Sequence, residues 1–175
     1  MRQYLLLVPL LCWLLPVCHG GIGSALVQGR LLCHKQPFAG EKVEIWAKAW
    51  GMHVDQIIRG SAPFFQGFFD KLLDSTTTDA YGYFALNGSY YEALATKPMI
   101  YAYFVNYCEP AIRKESFVCG NSIKAYIPSS FITSGKNPLE TFHLDELEVS
   151  TVENQQFGLE AIVYSWFDRK ECRDE

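Results

Sequence analysis

The residues of this chain best able to do chemistry are its cysteines, its histidines and a run of carboxylates. Beyond position 20 the cysteines are Cys33, Cys108, Cys119 and Cys172. Zinc sites need closely spaced ligand pairs such as Cys-x-x-Cys, and these spacings are wide. An even number of distant cysteines instead predicts disulfides, with three connectivities that spacing alone does not separate. Each bridge would stabilise the fold by about 2–4 kcal/mol. His34, His53 and His143 lie on unrelated segments. A hydrolytic base needs a partner within hydrogen-bond reach, and none is implied for them. His143, followed by Leu144, Asp145 and Glu146, reads as a solvated strand histidine. Asp145, Glu146 and Glu148 could suggest a metal, but three carboxylates on one strand read as a solvated face.

Other residues bear on binding. Tyr101, Tyr103, Tyr126 and Trp166 could line a pocket for a small apolar ligand, although aromatic core is the preferred reading. Asn87-Gly88-Ser89 is an N-glycosylation sequon and predicts a surface turn. Phe64, Phe65, Phe68 and Phe69, with Leu72 and Leu73, recur at helical spacing after Ser61-Ala62-Pro63. They predict one short helix near 62–73, packed on a sheet edge or offering an apolar patch to a partner or lipid surface. Gly67 weakens that helix by about 1 kcal/mol. No Gly-x-Ser-x-Gly, phosphate-binding loop, dinucleotide fingerprint or His-Glu-x-x-His occurs. The expectation is therefore no catalytic residue, no metal and no cofactor.

Residues 1–20 read as a secretory address: Arg2 leads an apolar run from Tyr4 to Leu15, and Cys18 and Gly20 mark a cut after Gly20. The run is shorter than the roughly 20 residues of a spanning helix, and no later stretch is long and apolar enough to span. Residues 21–167 read as one domain and 168–175 as a charged tail, mobile unless Cys172 fastens it. Cleavage leaves fourteen basic against nineteen acidic side chains, a charge of about −5. Such an acidic domain lacks the basic footprint of a nucleic-acid binder.

The elements are strands. Thr76 to Asp79, Gly82 and Tyr83 to Leu86 predict an antiparallel hairpin, followed by a second turn at Asn87-Gly88. Val27 to Cys33 is a strand in which Gly29 suggests close approach of another backbone. Lys42 to Lys48 alternates, with Val43, Ile45 and Ala47 inward and Lys42, Glu44, Trp46 and Lys48 outward. Residues 50–74 do not read as strand, and Tyr90 to Lys97 reads as a connector. Met99 to Cys108 is a strand apolar on both faces. Glu109 to Gly120 reads as a polar loop, and Ser122 to Pro128 as a strand. Thr141 to Val149 changes face near Asp145, which predicts a bulge. Leu159 to Phe167 is a last strand. Seven or eight short strands make an all-β, antiparallel β-sandwich.

Several pieces in order resemble one family. They are Val27-x-Gly29-x-Leu31-x-Cys33, Val43-x-Ile45-Trp46, Leu72-Leu73-Asp74, and Thr78-Asp79-x-x-Gly82-x-Phe84-x-Leu86-x-Gly88. Pro98 then leads to a strand ending in Cys108, and Ile127-Pro128-Ser129-Ser130-Phe131-Ile132-x-x-Gly135 closes the series. Over roughly Val27 to Val149 this is similar to the transthyretin-like family of secreted nematode proteins. The resemblance implies a transthyretin-like sandwich of two four-stranded sheets and a secreted, non-enzymatic protein. Some members bridge or signal at cell surfaces. The resemblance also favours pairing Cys33 with Cys108, which leaves Cys119 with Cys172. Three departures are visible: Asn106 stands where the family commonly has His, the strand from Pro98 is longer, and the segment between Trp46 and Leu72 is longer and richer in phenylalanine. An enzymatic relative of the sandwich, hydroxyisourate hydrolase, needs converging His and Arg and a terminal Tyr-Arg-Gly-Ser, whereas this sequence closes with Cys172-Arg173-Asp174-Glu175.

The expected function is that of an extracellular binding or bridging module, with a protein or cell-surface partner and Phe64–Phe69 as its candidate surface. A carrier of a small apolar ligand between sheets or subunits is the alternative, and a hydrolase comes third.

Overall fold

The computed structural model describes residues 21–48, 70–92, 97–154 and 170–174. The expectations for His53, for Phe64 to Phe69, for a strand from Leu159 to Phe167 and for Trp166 fall outside them. The described strands form two sheets. The first is built around β1 (Gly21–Cys33), which begins well before the predicted Val27. On one side β1 pairs antiparallel with β5 (Tyr83–Glu92). On the other it pairs parallel with β10 (Thr141–Glu148). Two-residue strands β2 (Gln36–Pro37) and β9 (Thr133–Ser134) also join β1.

The second sheet has the order β11 (Lys170–Asp174), β8 (Phe117–Tyr126), β6 (Met99–Asn106), β3 (Lys42–Lys48), β4 (Asp70–Thr77). The short β7 (Ile112–Lys114) also pairs with β8. Among the described strands every pairing but β1–β10 is antiparallel. The result is a β-sandwich.

Period-two alternation fills the space between the sheets. Val27 and Leu31 of β1, Val43 and Ile45 of β3, and Ile100 of β6 are all 0% exposed. Leu86 and Leu147 join them from β5 and β10. Each such side chain contributes roughly 1.5–3 kcal/mol by leaving water. The predicted bulge is present. Gln28 pairs with His143 but Arg30 with Glu146, so β10 has Leu144 and Asp145 opposite Gly29 alone. The extra residue returns Leu147 and Val149 to the inner face.

Several expectations are corrected. The turn at Asp79–Gly82 forms, with Gly82 N–H bonded to Asp79 O at 3.0 Å. The strands it joins do not make a hairpin, because β4 pairs with β3 and β5 with β1. The turn carries the chain from one sheet to the other. Asn87-Gly88 is not a turn but lies within β5, opposite Leu26 and Ala25. Long-range pairing with β1 overrides the local signal. Gly88 is needed there for packing, since a Cβ would come within 2.6 Å of Leu73. The connector expected from Tyr90 is strand as far as Glu92.

The helix expected near 62–73 does not extend through Asp70–Leu73, which lie in β4 paired with β3. Cys119 and Gly120, expected in a loop, are in β8. Gly29 is approached by the side chains of Phe84 and Leu144 rather than by another backbone. Glu44, expected in water, is only 8% exposed and accepts a hydrogen bond from Trp46 Nε1 at 2.8 Å.

Two disulfides brace this frame. Cys33 at the end of β1 joins Cys108 just beyond β6, tying one sheet to the other across 75 residues of chain. Cys119 joins Cys172, its direct partner in the β8–β11 ladder. Lys170–Asp174 of the charged tail is thereby held as a strand, with the Arg173 guanidinium bonded to both carboxylate oxygens of Glu41 at 2.9 and 3.1 Å. Replacing Cys33 and Cys108 together by alanine is expected to lower unfolding free energy by about 2–4 kcal/mol in chemical denaturation. An unchanged midpoint would show that the bridge carries no constraint.

Candidate functional site

The predicted chemical residues scatter. The one group of three or more possible metal ligands among the described residues is Cys33, His34 and Cys108. Its two sulfurs are bonded to each other, and a disulfide offers no thiolate to a metal. The carboxylates of β10 go separate ways. Glu146 pairs with Arg30 at 2.6 Å. Asp145 takes the bulge position, with φ 52°.

Glu148 clamps the turn between β1 and β2. Its Oε1 accepts from His34 N–H at 2.9 Å and its Oε2 from Lys35 N–H at 2.7 Å. Both donors sit at positive φ, 51° and 63°. The Ser150 hydroxyl donates a further bond at 2.6 Å. Partial burial pulls the Glu148 carboxyl upward, but the bonds from Ser150, Lys35 and His34 outweigh it and leave its pKa below the ordinary value.

Tyr101, Tyr103 and Tyr126 belong to a second cluster with Trp46 and Tyr107, separate from the core between the sheets. Two of the hydroxyls are engaged with acids: Tyr101 donates to Asp70 at 2.5 Å and Tyr103 to Glu171 at 2.6 Å. Burial, then the bond to Asp70, raises the Tyr101 pKa far above the phenol range. These rings do not line an apolar pocket between the sheets.

What the structure does gather is a groove of about 550 Å³ on the outer face of the first sheet. The bulge creates it. Gln28 and Arg30 point outward from β1, as the alternation of that strand requires, and Tyr83 and Ala85 do so from β5. His143, Asp145 and Glu146 close the β10 side. Arg30 is fixed from three directions. Its Nε donates to Tyr81 O at 2.8 Å, its Nη1 meets Glu146, and its guanidinium carbon lies 5.0 Å from the Tyr83 ring centre. Asp79 Oδ1 accepts from the N–H groups of Tyr81 and Tyr83, both at 2.8 Å, which sets the turn that carries the two rings. Tyr81 and Tyr83 remain 66% and 52% exposed.

Of the residues singled out from sequence, the groove takes His143, Asp145 and Glu146. Arg30, Gln28, Asp79 and Tyr83 were missed as site residues. The outward phase of Gln28 and Arg30 along β1 was the available signal. Asn87 is exposed on β5, two residues beyond Ala85 and on the same outer face.

Residues 28–128 match the profile of the transthyretin-like family, TTR-52. The chain belongs to the transthyretin-like family. Transthyretin-like protein 46 of Caenorhabditis elegans is 32% identical over 129 residues, 74% of this chain and 61% of that protein. Transthyretin-like protein 33 of the same nematode is 28% identical over 126 residues, 72% of this chain and 73% of its own length. This chain thus spans less than two thirds of the first relative. Among solved structures, a 9R-lipoxygenase from Cyanothece PCC8801 aligns with 71% of this chain and 16% of its own. Its TM-score of 0.32 and identity of 16% carry no argument. The family match ends at residue 128, so the β10 side of this transthyretin-like groove lies beyond it.

The Glu148 clamp has a pH signature. A carboxyl whose folded pKa is lowered contributes stability above its unfolded value, and loses it as pH falls through the folded one. Glu148→Gln is therefore expected to cost about 1 kcal/mol at neutral pH. The difference from the parent protein should close below about pH 4. Denaturation at several pH values checks this, and a difference independent of pH would refute the clamp.

Proposed function

We propose that this transthyretin-like protein is exported and acts without catalysis as an extracellular binding or bridging module, engaging a protein or cell-surface partner. The observation that carries the reading is the groove beside the bulge. Tyr and Arg dominate the energetics of protein contacts. Here two exposed tyrosines and an arginine are held in place by Asp79 and Glu146 before any partner arrives. Prearranged side chains lose little freedom on binding. The groups with acid–base potential support recognition rather than turnover, since Arg30 and Glu146 satisfy each other and one carboxylate oxygen of Asp79 is held by its turn.

Export is supported by the address-like residues 1–20 and by the two disulfides, which persist in oxidising compartments. In this reading Asn87 carries a glycan, on the same face as the groove. The phenylalanine segment from Phe64 to Phe69 remains a second candidate surface on sequence grounds.

Expression in a eukaryotic secretory line is expected to deliver to the medium a chain beginning at Gly21. A glycosidase should lower its mass, and Asn87→Gln should remove that shift. Retention of the chain in the cell would overturn the export reading. Fluorescently labelled protein is expected to bind saturably to cells of its source tissue. Tyr83→Ala should weaken that binding about tenfold or more, at unchanged circular dichroism. Undiminished binding of the variant would remove the groove from the function.

A further inference from the structure

We infer that the groove beside the β10 bulge reads a cationic side chain, a lysine or arginine presented by an extracellular protein partner. The inference rests on the binding role proposed above and adds the chemistry of what is bound. The ionisable lining is three carboxylates, Asp79, Asp145 and Glu146, against the single guanidinium of Arg30 and the imidazole of His143. The whole chain carries a net charge of −4, which draws a basic partner in from a distance.

The groove already displays the arrangement it favours. Arg30 holds its guanidinium against the Tyr83 ring while Nη1 meets Glu146 at 2.6 Å. A cation between an aromatic face and a carboxylate gains from both. Half of the Tyr83 surface is still open, at 52% exposure. Asp145, across β1 on the β10 side of the groove, has no hydrogen bond or ion pair among the described residues. Asp79 uses Oδ1 for its turn and leaves Oδ2 to the groove. A second cation, brought by a partner, would find in the same groove two acids that no basic side chain neutralises.

A bare divalent ion fits less well. Calcium needs several oxygens converging on one point, and the groove acids do not bring three ligand atoms within reach of one another. Carboxylates set apart along a groove suit a long side chain whose donors spread over a plane. Asp145 also permits a clean test. Its φ of 52° is left-handed, a conformation Asn tolerates as readily as Asp. Asp145→Asn thus removes the charge and keeps the bulge.

The experiment titrates the intact isotopically labelled protein with acetylated, amidated Gly-Arg-Gly, and separately with Gly-Glu-Gly, and follows amide chemical shifts. The arginine peptide is expected to move residues 28–30, 83–85 and 143–146. Its affinity should fall several-fold with added salt, and about tenfold in Asp145→Asn. Equal perturbation by the glutamate peptide, or unchanged affinity in Asp145→Asn, would overturn the inference. The outcomes also separate it from the binding role. If Tyr83→Ala abolishes cell binding while Asp145→Asn and salt leave it intact, the cation reading falls and the binding role stands. If Tyr83→Ala leaves cell binding intact, the groove loses both.

Discussion

Opposite Gly29, strand β10 places two residues where β1 has one, and the character of the outer face follows from that mismatch. Before the bulge, Phe142 points into the core; without it, Leu147 and Val149 would point into water. With it they are 2% and 0% exposed. Their burial contributes roughly 1.5–3 kcal/mol each, whereas holding Asp145 at positive φ costs about 1 kcal/mol. The balance favours the bulge. Its by-product is to offset the acidic residues of β10, so that Glu146 meets Arg30 and Asp145 is left over. The absence of a side chain on Gly29 lets Phe84 and Leu144 close the floor beneath.

The outer faces of the two sheets use similar residues to different ends. On the second sheet, Trp46, Tyr101 and Tyr103 are bonded through their polar tips to Glu44, Asp70 and Glu171. Lys124 stacks on Tyr101 at 4.8 Å and reaches Asp70 at 3.3 Å. Arg173 covers Tyr107 at 4.1 Å and is bound by Glu41. The polar tips of these side chains satisfy one another, and Tyr101 is only 2% exposed. Such networks rigidify a sheet. On the first sheet the corresponding elements stay open, with exposed tyrosines and an acid beside them. That contrast, rather than the count of aromatic residues, distinguishes the two outer faces.

Local signals backed by the global fold were legible in sequence. The phase change across Asp145 revealed the bulge, because strand periodicity is strict and a slip exposes every side chain that follows. The Asp79–Gly82 turn was legible from its own chemistry, but not which sheet receives each strand. Local residues do not encode distant partners. The first half of β4, Asp70 to Asp74, was missed as strand because β4 is an edge strand of mostly polar residues, with Leu72 42% exposed. Asn87-Gly88 misled because a glycine required for close packing resembles one required for turning. Glu148 looked like any solvated acid, and its clamp depends on a turn more than a hundred residues away. The groove was half visible, in its β10 acids, while Arg30 and Tyr83 gain meaning only once three strands lie side by side.

The parallel pairing of β1 with β10 has a consequence for biogenesis. Arg30 and Glu146 are 116 residues apart in sequence, so the first sheet stays half-built until nearly the whole polypeptide has emerged. Contacts between such distant segments form late and slowly. During that interval β1 can pair with β5 but exposes its opposite edge, and Cys33 waits as a free thiol for Cys108. A nascent chain with an unpaired edge and a reactive sulfur is a substrate for chaperones and disulfide isomerases. The slow step in building this sandwich thus lies in bringing β10 to β1, not in closing its local turns.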